Sequence, residues 1–382
     1  MIKTLNNPEI VVIGAGVFGL STSYNLSLNG YEVLLIDKSF PASEASGKAM
    51  GRLDPILGGV GSTLEKANSL GRPDDQKELS EESFKLHLNN HKDLIKSSMI
   101  DYDFQSIPTL QIIHSENELT QLIDLIPEWN QKGFNSKIIT DQNEFIDSRI
   151  SNNHIGLVLI NGVVFLDSFK FCQSLFKTCE ISGVKFENFD VTTFSNTKNG
   201  IEIRNKDHII RPKKVVISTG PWTNFLTEQI GVSIDIKPLK GEMLKVEPFN
   251  EPLEFHLHGK VSICQKLDNL LWIGATKSNY TFNSKKTKTA QDELIHLASE
   301  IIPEIINNKI VDHSVCFRPM TPDAMPAIGP IDAGKNIWIA SGGGGWGILH
   351  SFNIGQEITR MIKKNTDISR FSGINVKRLI YN

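Results

Sequence analysis

Three glycines, Gly14, Gly16 and Gly19, and an acid at Asp37 are the first residues here whose types and spacing could do chemistry. In a Gly-x-Gly-x-x-Gly run between strand and helix, the first glycine permits a tight turn. The second lets a pyrophosphate approach the backbone, and the third lets the helix pack closely. A carboxylate about 20 residues further on suits a hydrogen bond to an adenosine ribose hydroxyl. A second group is Ser341-Gly-Gly343-Gly344-Gly345-Trp346-Gly347, just before a helix expected to start near Ile348. Backbone without Cβ can touch a flat ligand edge, and the helix end behind it favours negative charge.

These groups need elements to position them. Ile10-Val-Val-Ile13 is a continuous apolar run, all four of its residues β-branched, and reads as a strand buried on both faces. Leu20, Tyr24 and Leu28 follow at helical spacing, and Asn29-Gly30 ends that helix. A second strand, Glu32 to Asp37, carries the acid at its end. The loop from Lys38 to Pro55 is rich in small residues and suits a wall against a bulky ligand. Residues 61–79 read as a surface excursion centred on Gly71, and Glu78 to about Ser98 as a helix burying Leu79, Phe84, Leu86 and Leu94. Strand Thr109-Leu-Gln-Ile-Ile and a helix near 116–132 read as a second, α+β unit. Lys214 to Ser218 is another buried strand, ending in a turn at Gly220. Three alternating segments, Ile234 to Glu247, Val261 to Gln265 and Leu270 to Thr276, make an antiparallel sheet. Strand Asn336-Ile-Trp-Ile-Ala returns the chain to the second glycine loop.

At 382 residues the chain is long enough for two substantial cores. A net charge of −3 argues against nucleic acid as an obligatory partner. The four cysteines (Cys172, Cys179, Cys264 and Cys316) lie too far apart for metal-binding pairs and suggest no disulfide framework or metal site. No apolar signal core precedes the first strand, and no apolar run reaches the roughly 20 residues of a membrane helix. A reducing, cytoplasmic setting without a transmembrane segment is expected.

Several segments together resemble the FAD-dependent amine and amino-acid oxidase family that includes D-amino-acid oxidase, glycine oxidase and sarcosine oxidase. They are the fingerprint ending in Asp37-Lys38, the loop Ala45-Ser-Gly-Lys-Ala-Met-Gly51-Arg-Leu, and Val216-Ile-Ser-Thr-Gly220-Pro-Trp222. Pro238-Leu-Lys-Gly241-Glu, Ile273-Gly-Ala-Thr276, Arg318-Pro-Met-Thr-Pro-Asp323 and the final glycine loop continue the series. The resemblance implies FAD as cofactor and an α/β fold, a Rossmann-like FAD-binding domain interleaved with an α+β substrate domain built on an antiparallel sheet. The expected division is 1–60, 155–230 and 316–382 for the first, and 61–154 and 231–315 for the second.

Residue by residue, the resemblance assigns Val17 and Phe18 to the pyrophosphate, Asp37 and Lys38 to the ribose region, and Ser46, Met50, Gly51 and Arg52 to the flavin loop. Val191 goes to an adenine-side strand, and Gly343, Gly344, Gly345, Trp346, Gly347, Ile348 and Leu349 to the last flavin loop. Gly220 joins the cofactor set. Arg318 matches the arginine that binds substrate carboxylate, and its guanidinium can form two parallel hydrogen bonds to one. Cys316 has the spacing of a covalent flavin cysteine; a buried free thiol is its other reading.

The implied reaction is oxidation of the C–N bond of a small amino acid or secondary amine of the glycine, sarcosine or D-amino-acid type. Hydride passes to flavin and the resulting imine hydrolyses. Oxygen as acceptor makes an oxidase; a quinone or carrier makes a dehydrogenase of the same family. A flavin-binding subunit without turnover is the alternative of another class. Modification of an aminomethyl group on tRNA fits poorly with the near-neutral charge, and a NAD-dependent dehydrogenase leaves the later glycine loop without purpose. The chain departs from the family at Gly343 to Gly345, where a substrate-reaching side chain is common, so a second substrate contact is missing or comes from elsewhere. Ser218 stands where alanine is usual. His256, His258, Lys266 and Tyr280 are candidates to face the site, read instead as surface or packing residues, and no catalytic side chain is assigned.

Overall fold

The computed structural model describes residues 3–4, 8–57, 74–141, 147–371 and 373–381. The excursion read around Gly71 lies, up to residue 73, outside the described residues. Strand β1 (Ile10–Ile13) leads through Gly14 to Gly16 into helix α1 (Val17–Leu28), which stops at Asn29 before Gly30. Strand β2 (Val33–Asp37) follows, then helix α2 (Asp74–Ser98). Strand β3 (Thr109–Ile113), helix α3 (Glu116–Gln131), β4 (Ser136–Ile139) and β5 (Gly156–Ile160) come next. Helix α4 (Ser168–Ile181) is capped by Asp167, whose carboxylate accepts from the Lys170 amide. Strands β6 (Lys185–Asn188) and β7 (Lys214–Ile217) precede β8 (Lys237–Val246), β9 (His256–His258), β10 (Ser262–Gln265) and β11 (Leu271–Gly274). Helix α5 (Lys288–Ile301), β12 (Ile310–Met320), β13 (Ala327–Pro330), β14 (Ile337–Ser341) and helix α6 (Gly347–Lys363) complete the main elements.

Two large sheets result. One has the order β6-β2-β1-β7-β14-β13, parallel except for β13 against β14. Alternation along its strands sorts their side chains into two cores. Ile10 and Val12 pack with Leu20 and Ile354 of helices α1 and α6. Val11 and Ile13 pack instead with Phe194 and Ile203 of a small separate sheet. Each of these fully buried aliphatic side chains contributes about 2 kcal/mol by burial. Helices α1 and α6 approach so closely that a Cβ at Gly355 would stand 2.6 Å from the Ser21 carbonyl oxygen.

The second sheet has the order β12-β8-β11-β10-β9-β3-β5-β4, antiparallel except for β9 beside β3. Three segments sit elsewhere than the expected division has them. Strand β5 (Gly156–Ile160) belongs to this second sheet, not to the nucleotide-binding half, because it pairs with β3 and β4. The expected boundary at 316 falls inside β12, which pairs with β8 from Ile310 to Met320. Helix α2 packs on the nucleotide-binding half: Leu79, Phe84 and Leu94 join the core of α1 and α6. Apolar spacing marks the buried face of a helix without naming its partner, and here the partner is α6. Among the described residues, no helix is long and apolar enough to cross a membrane.

Candidate functional site

One elongated cavity of about 630 Å³ runs from the carboxyl ends of β1 and β2 to the face of the second sheet. That volume is in the usual range for small-molecule and cofactor sites, about 300–1,000 Å³. At its first end, Gly14 takes a φ of 105°, and a Cβ there would stand 2.5 Å from the Ser218 carbonyl oxygen. Gly19 packs behind it, where a Cβ would be 1.8 Å from the Gly14 oxygen. Asp37 braces this loop by accepting from the Ala15 amide at 2.7 Å and the Ser39 amide at 2.9 Å. Burial pushes the Asp37 carboxyl up, and those amides with Lys38 offset only part of the effect. Ser46 Oγ accepts from the Val17 amide at 3.0 Å, tying the flexible-looking Lys38–Pro55 loop to the start of α1. The Lys38 ammonium lies 5.0 Å from the Trp222 ring centre.

The second glycine loop forms the opposite wall. A Cβ at Gly343 would lie 2.9 Å from both Gly347 Cα and the Phe18 ring, so only glycine keeps this wall flat. Helix α6 begins at Gly347 with its first amides unpaired within the helix. Its start is anchored from behind by His87, whose Nε2 lies 3.0 and 3.1 Å from the carbonyls of Ile348 and Leu349. Burial, against the hydrogen bonds to those two carbonyls, lowers His87 to about 4, leaving a neutral ring.

Of the residues singled out in the sequence, Gly14, Gly16, Val17, Phe18, Asp37, Lys38, Ser46, Met50, Arg52, Val191, Gly220, Gly343 to Ile348, Cys316 and Arg318 line this cavity. Gly19, Gly51 and Leu349 do not; they lie behind the wall. Gly51 accepts from the Leu166 amide at 2.9 Å, and Leu349 is buried in the core. Val191 precedes the strand Thr193–Thr197 rather than sitting in one.

The remaining wall is the face of the second sheet. Ser314, Cys316 and Arg318 alternate along β12 and all line the cavity. The Arg318 guanidinium lies over Gly241, where a Cβ would be 2.7 Å from Nη1. Its Nη1 donates to the Thr276 carbonyl at 3.0 Å. Thr276 is itself fixed to β8: its Oγ1 accepts from the Glu242 amide at 2.9 Å and its amide donates to the Glu242 carbonyl at 3.0 Å. No carboxylate pairs with Arg318 among the described residues. Burial, and then Arg318, bring the neighbouring Lys277 ammonium down to about 8. Burial raises the Cys316 thiol, only partly opposed by Arg318 and Lys48, which keeps it protonated.

Sequence reasoning passed over two residues that matter to this wall. Lys266, read as a surface or packing residue, is half-buried and donates to the Met50 and Leu166 carbonyls at 2.6 and 2.9 Å, holding the loop that carries Met50 and Arg52. His258, given the same reading, lines the cavity with only 4 % of its surface exposed. A lysine at the end of one alternating strand and a histidine within another carry no local signal of these positions; the pairing of β9, β10 and β11 creates them. His256 is fully buried, and Tyr280 is 43 % exposed.

An extended dinucleotide with a flat ring system fits this arrangement: a helix start and glycine turn at one end, a flat glycine wall at the other, and polar donors between. The family model of FAD dependent oxidoreductases matches residues 9–361. Glycine oxidase of Geobacillus kaustophilus is 23 % identical over 373 residues, covering 95 % of this chain and 96 % of the relative. Glycine oxidase of Pseudomonas putida is 22 % identical, covering 87 % and 88 %. The crystal structure of the Geobacillus kaustophilus enzyme superposes with a TM-score of 0.87 at 21 % identity, covering 99 % and 100 % of the two chains. That of L-proline dehydrogenase from P. horikoshii gives a TM-score of 0.79 at 21 % identity and 96 % coverage of each. The glycine-rich turns, the interleaved sheets and the match along nearly the whole chain lead to one conclusion: this chain belongs to the family of FAD-dependent oxidoreductases.

Proposed function

We propose that the chain oxidises the C–N bond of a small amino acid or secondary amine, with Arg318 binding the substrate carboxylate. The observation that carries this reading is the Arg318 guanidinium, held over Gly241 and bonded to Thr276, in the same cavity as both glycine loops. The fork has donors beyond the one used by Thr276, and a carboxylate is the group that matches its planar geometry.

Bound FAD supplies a hydride acceptor. The turn at Gly14 to Phe18 would hold the pyrophosphate, Asp37 and Lys38 the ribose region, and Val191 the adenine side. Met50, Arg52 and the loop Gly343–Ile348 would enclose the flavin, the start of α6 stabilising negative charge on its edge. Arg318 orients the amino acid, so that its Cα–H and neutral amine are presented to one face of the cavity. No protein base is needed when the amine is bound neutral. The product imine leaves and is hydrolysed by water. The Cys316 thiol, kept protonated by burial, is a poor nucleophile, which supports FAD held without a covalent bond.

The test is anaerobic mixing of FAD-loaded protein with glycine, sarcosine, proline and a set of D- and L-amino acids, following the flavin absorbance. Bleaching by an amino acid is the expected result. A flavin that stays oxidised with every amine points to a binding subunit without turnover and defeats the reading. Admitting air afterwards reports the acceptor: fast recovery of colour marks an oxidase, slow recovery a quinone- or carrier-linked dehydrogenase.

A further inference from the structure

The second sheet presents one continuous row of residues to the cavity. Pairing places Ser314, Met243, Gly274, Ser262 and His258 opposite one another across five neighbouring strands. All five line the cavity. Strands lie roughly 4.8 Å apart, so the row reaches well beyond the strand that carries Arg318. Serines and a glycine take up little room, and the row ends on an imidazole.

That imidazole has a defined setting. His258 Nδ1 lies 2.8 Å from Ser262 Oγ, and both residues are at most 5 % exposed. A serine hydroxyl donating to Nδ1 puts the ring proton on Nε2. Burial, then Arg52 and Lys277, hold the ring well below its ordinary range, so it is neutral and acts as a hydrogen-bonding group, not an ion. The same cations make this end of the cavity favourable for an electron-rich oxygen. Buried polar atoms are normally paired, yet beside this point His256 leaves both ring nitrogens unpartnered, and Arg52 its Nε, among the described residues. The surroundings are polar, not a dry packing core.

We propose that His258 and Ser262 form a second polar subsite, facing the same cavity as Arg318, that selects amino acids whose side chain ends in a carbonyl or carboxylate oxygen. This rests on the amino-acid reading given above and adds the substrate's far end to it. The donor is His258 Nε2–H, positioned by Ser262; the bare Gly343–Gly345 loop offers no side chain for that task.

The test uses FAD-loaded protein titrated with butyrate and with succinamate, unreactive carboxylates of similar size, of which only succinamate carries a far oxygen. Perturbation of the flavin absorbance reports binding. Succinamate is expected to bind about tenfold tighter than butyrate, the worth of one well-made hydrogen bond. In His258→Leu that preference falls to about onefold, while butyrate binding stays within about twofold of wild type. Should His258→Leu lose FAD, Ser262→Ala frees Nδ1 and is expected to bring the preference below about threefold. An absent preference in the wild type, or one that survives in either variant, overturns the subsite and leaves the amino-acid reading standing. If neither carboxylate perturbs the wild-type flavin while carboxylate-free amines bleach it, the amino-acid reading itself fails.

Discussion

Gly241 lies directly beneath Arg318, with space for a guanidinium where any larger residue would put a methyl group 2.7 Å from Nη1. The contact follows from pairing: Gly241 faces Cys316, two residues before Arg318 on the same face of β12. Gly241→Ala therefore displaces the guanidinium. The expected result is a KM for amino acids raised about 10- to 100-fold by the misplaced clamp, with FAD affinity unchanged. Steady-state kinetics beside a flavin-binding titration check it.

Gly14 combines a φ of 105° with a Cβ position 2.5 Å from the Ser218 carbonyl oxygen. Gly14→Ala adds backbone strain of about 1–3 kcal/mol at this turn. FAD binding is expected to weaken at least tenfold or so, since about 1.4 kcal/mol is a factor of ten. Flavin content after dialysis, compared with wild type, reads this out.

The resemblance leaves covalent attachment open at Cys316. Acid precipitation is expected to leave FAD in the supernatant and a colourless pellet. A pellet that keeps its flavin fluorescence would mean that a bond to the protein forms despite the protonated thiol.

The nucleotide-binding half was legible because its signals are local. The run Ile10–Ile13, the glycine spacing and Asp37 sit within one strand–turn–helix–strand unit, and each residue's role depends on neighbours a few positions away. The segments that crossed between halves were not legible. Leu79 and Phe84 show a buried helical face, but only the folded chain sets that face against α6. Strand β5 is as apolar as β1, and its partner is chosen by the sheet it completes. The substrate wall was half legible: Arg318 stands out by its chemistry, whereas His258 and Ser262 meet through a hairpin and Lys266 reaches Met50 across 216 residues.

Glu357, fully buried on α6, pairs with Arg360 and Arg370 at 2.7 and 2.8 Å and so pins the C-terminal segment. Burial alone would raise its carboxyl, but the two arginines outweigh that and hold it at about 2. A folded-state value below the unfolded one contributes stability that is complete above about pH 4.5 and lost as pH falls toward 2. The contribution is on the order of 3 kcal/mol. Thermal melts from pH 7 to 2.5 should show Glu357→Gln less stable than wild type at neutral pH, the difference closing in acid. A constant difference across that range would assign the effect to packing instead.

Everything proposed for the reaction depends on Arg318 binding a carboxylate beside the bound flavin. That binding is tested most directly by rapid anaerobic flavin reduction in wild type and Arg318→Ala, using the best amino acid of the panel and its decarboxylated amine. The apparent dissociation constant of the amino acid is expected to rise about 100-fold in the variant, the worth of a two-pronged charged hydrogen bond. The amine should react nearly alike in both proteins. Equal loss for the two compounds, or an unchanged constant for the amino acid, would contradict it.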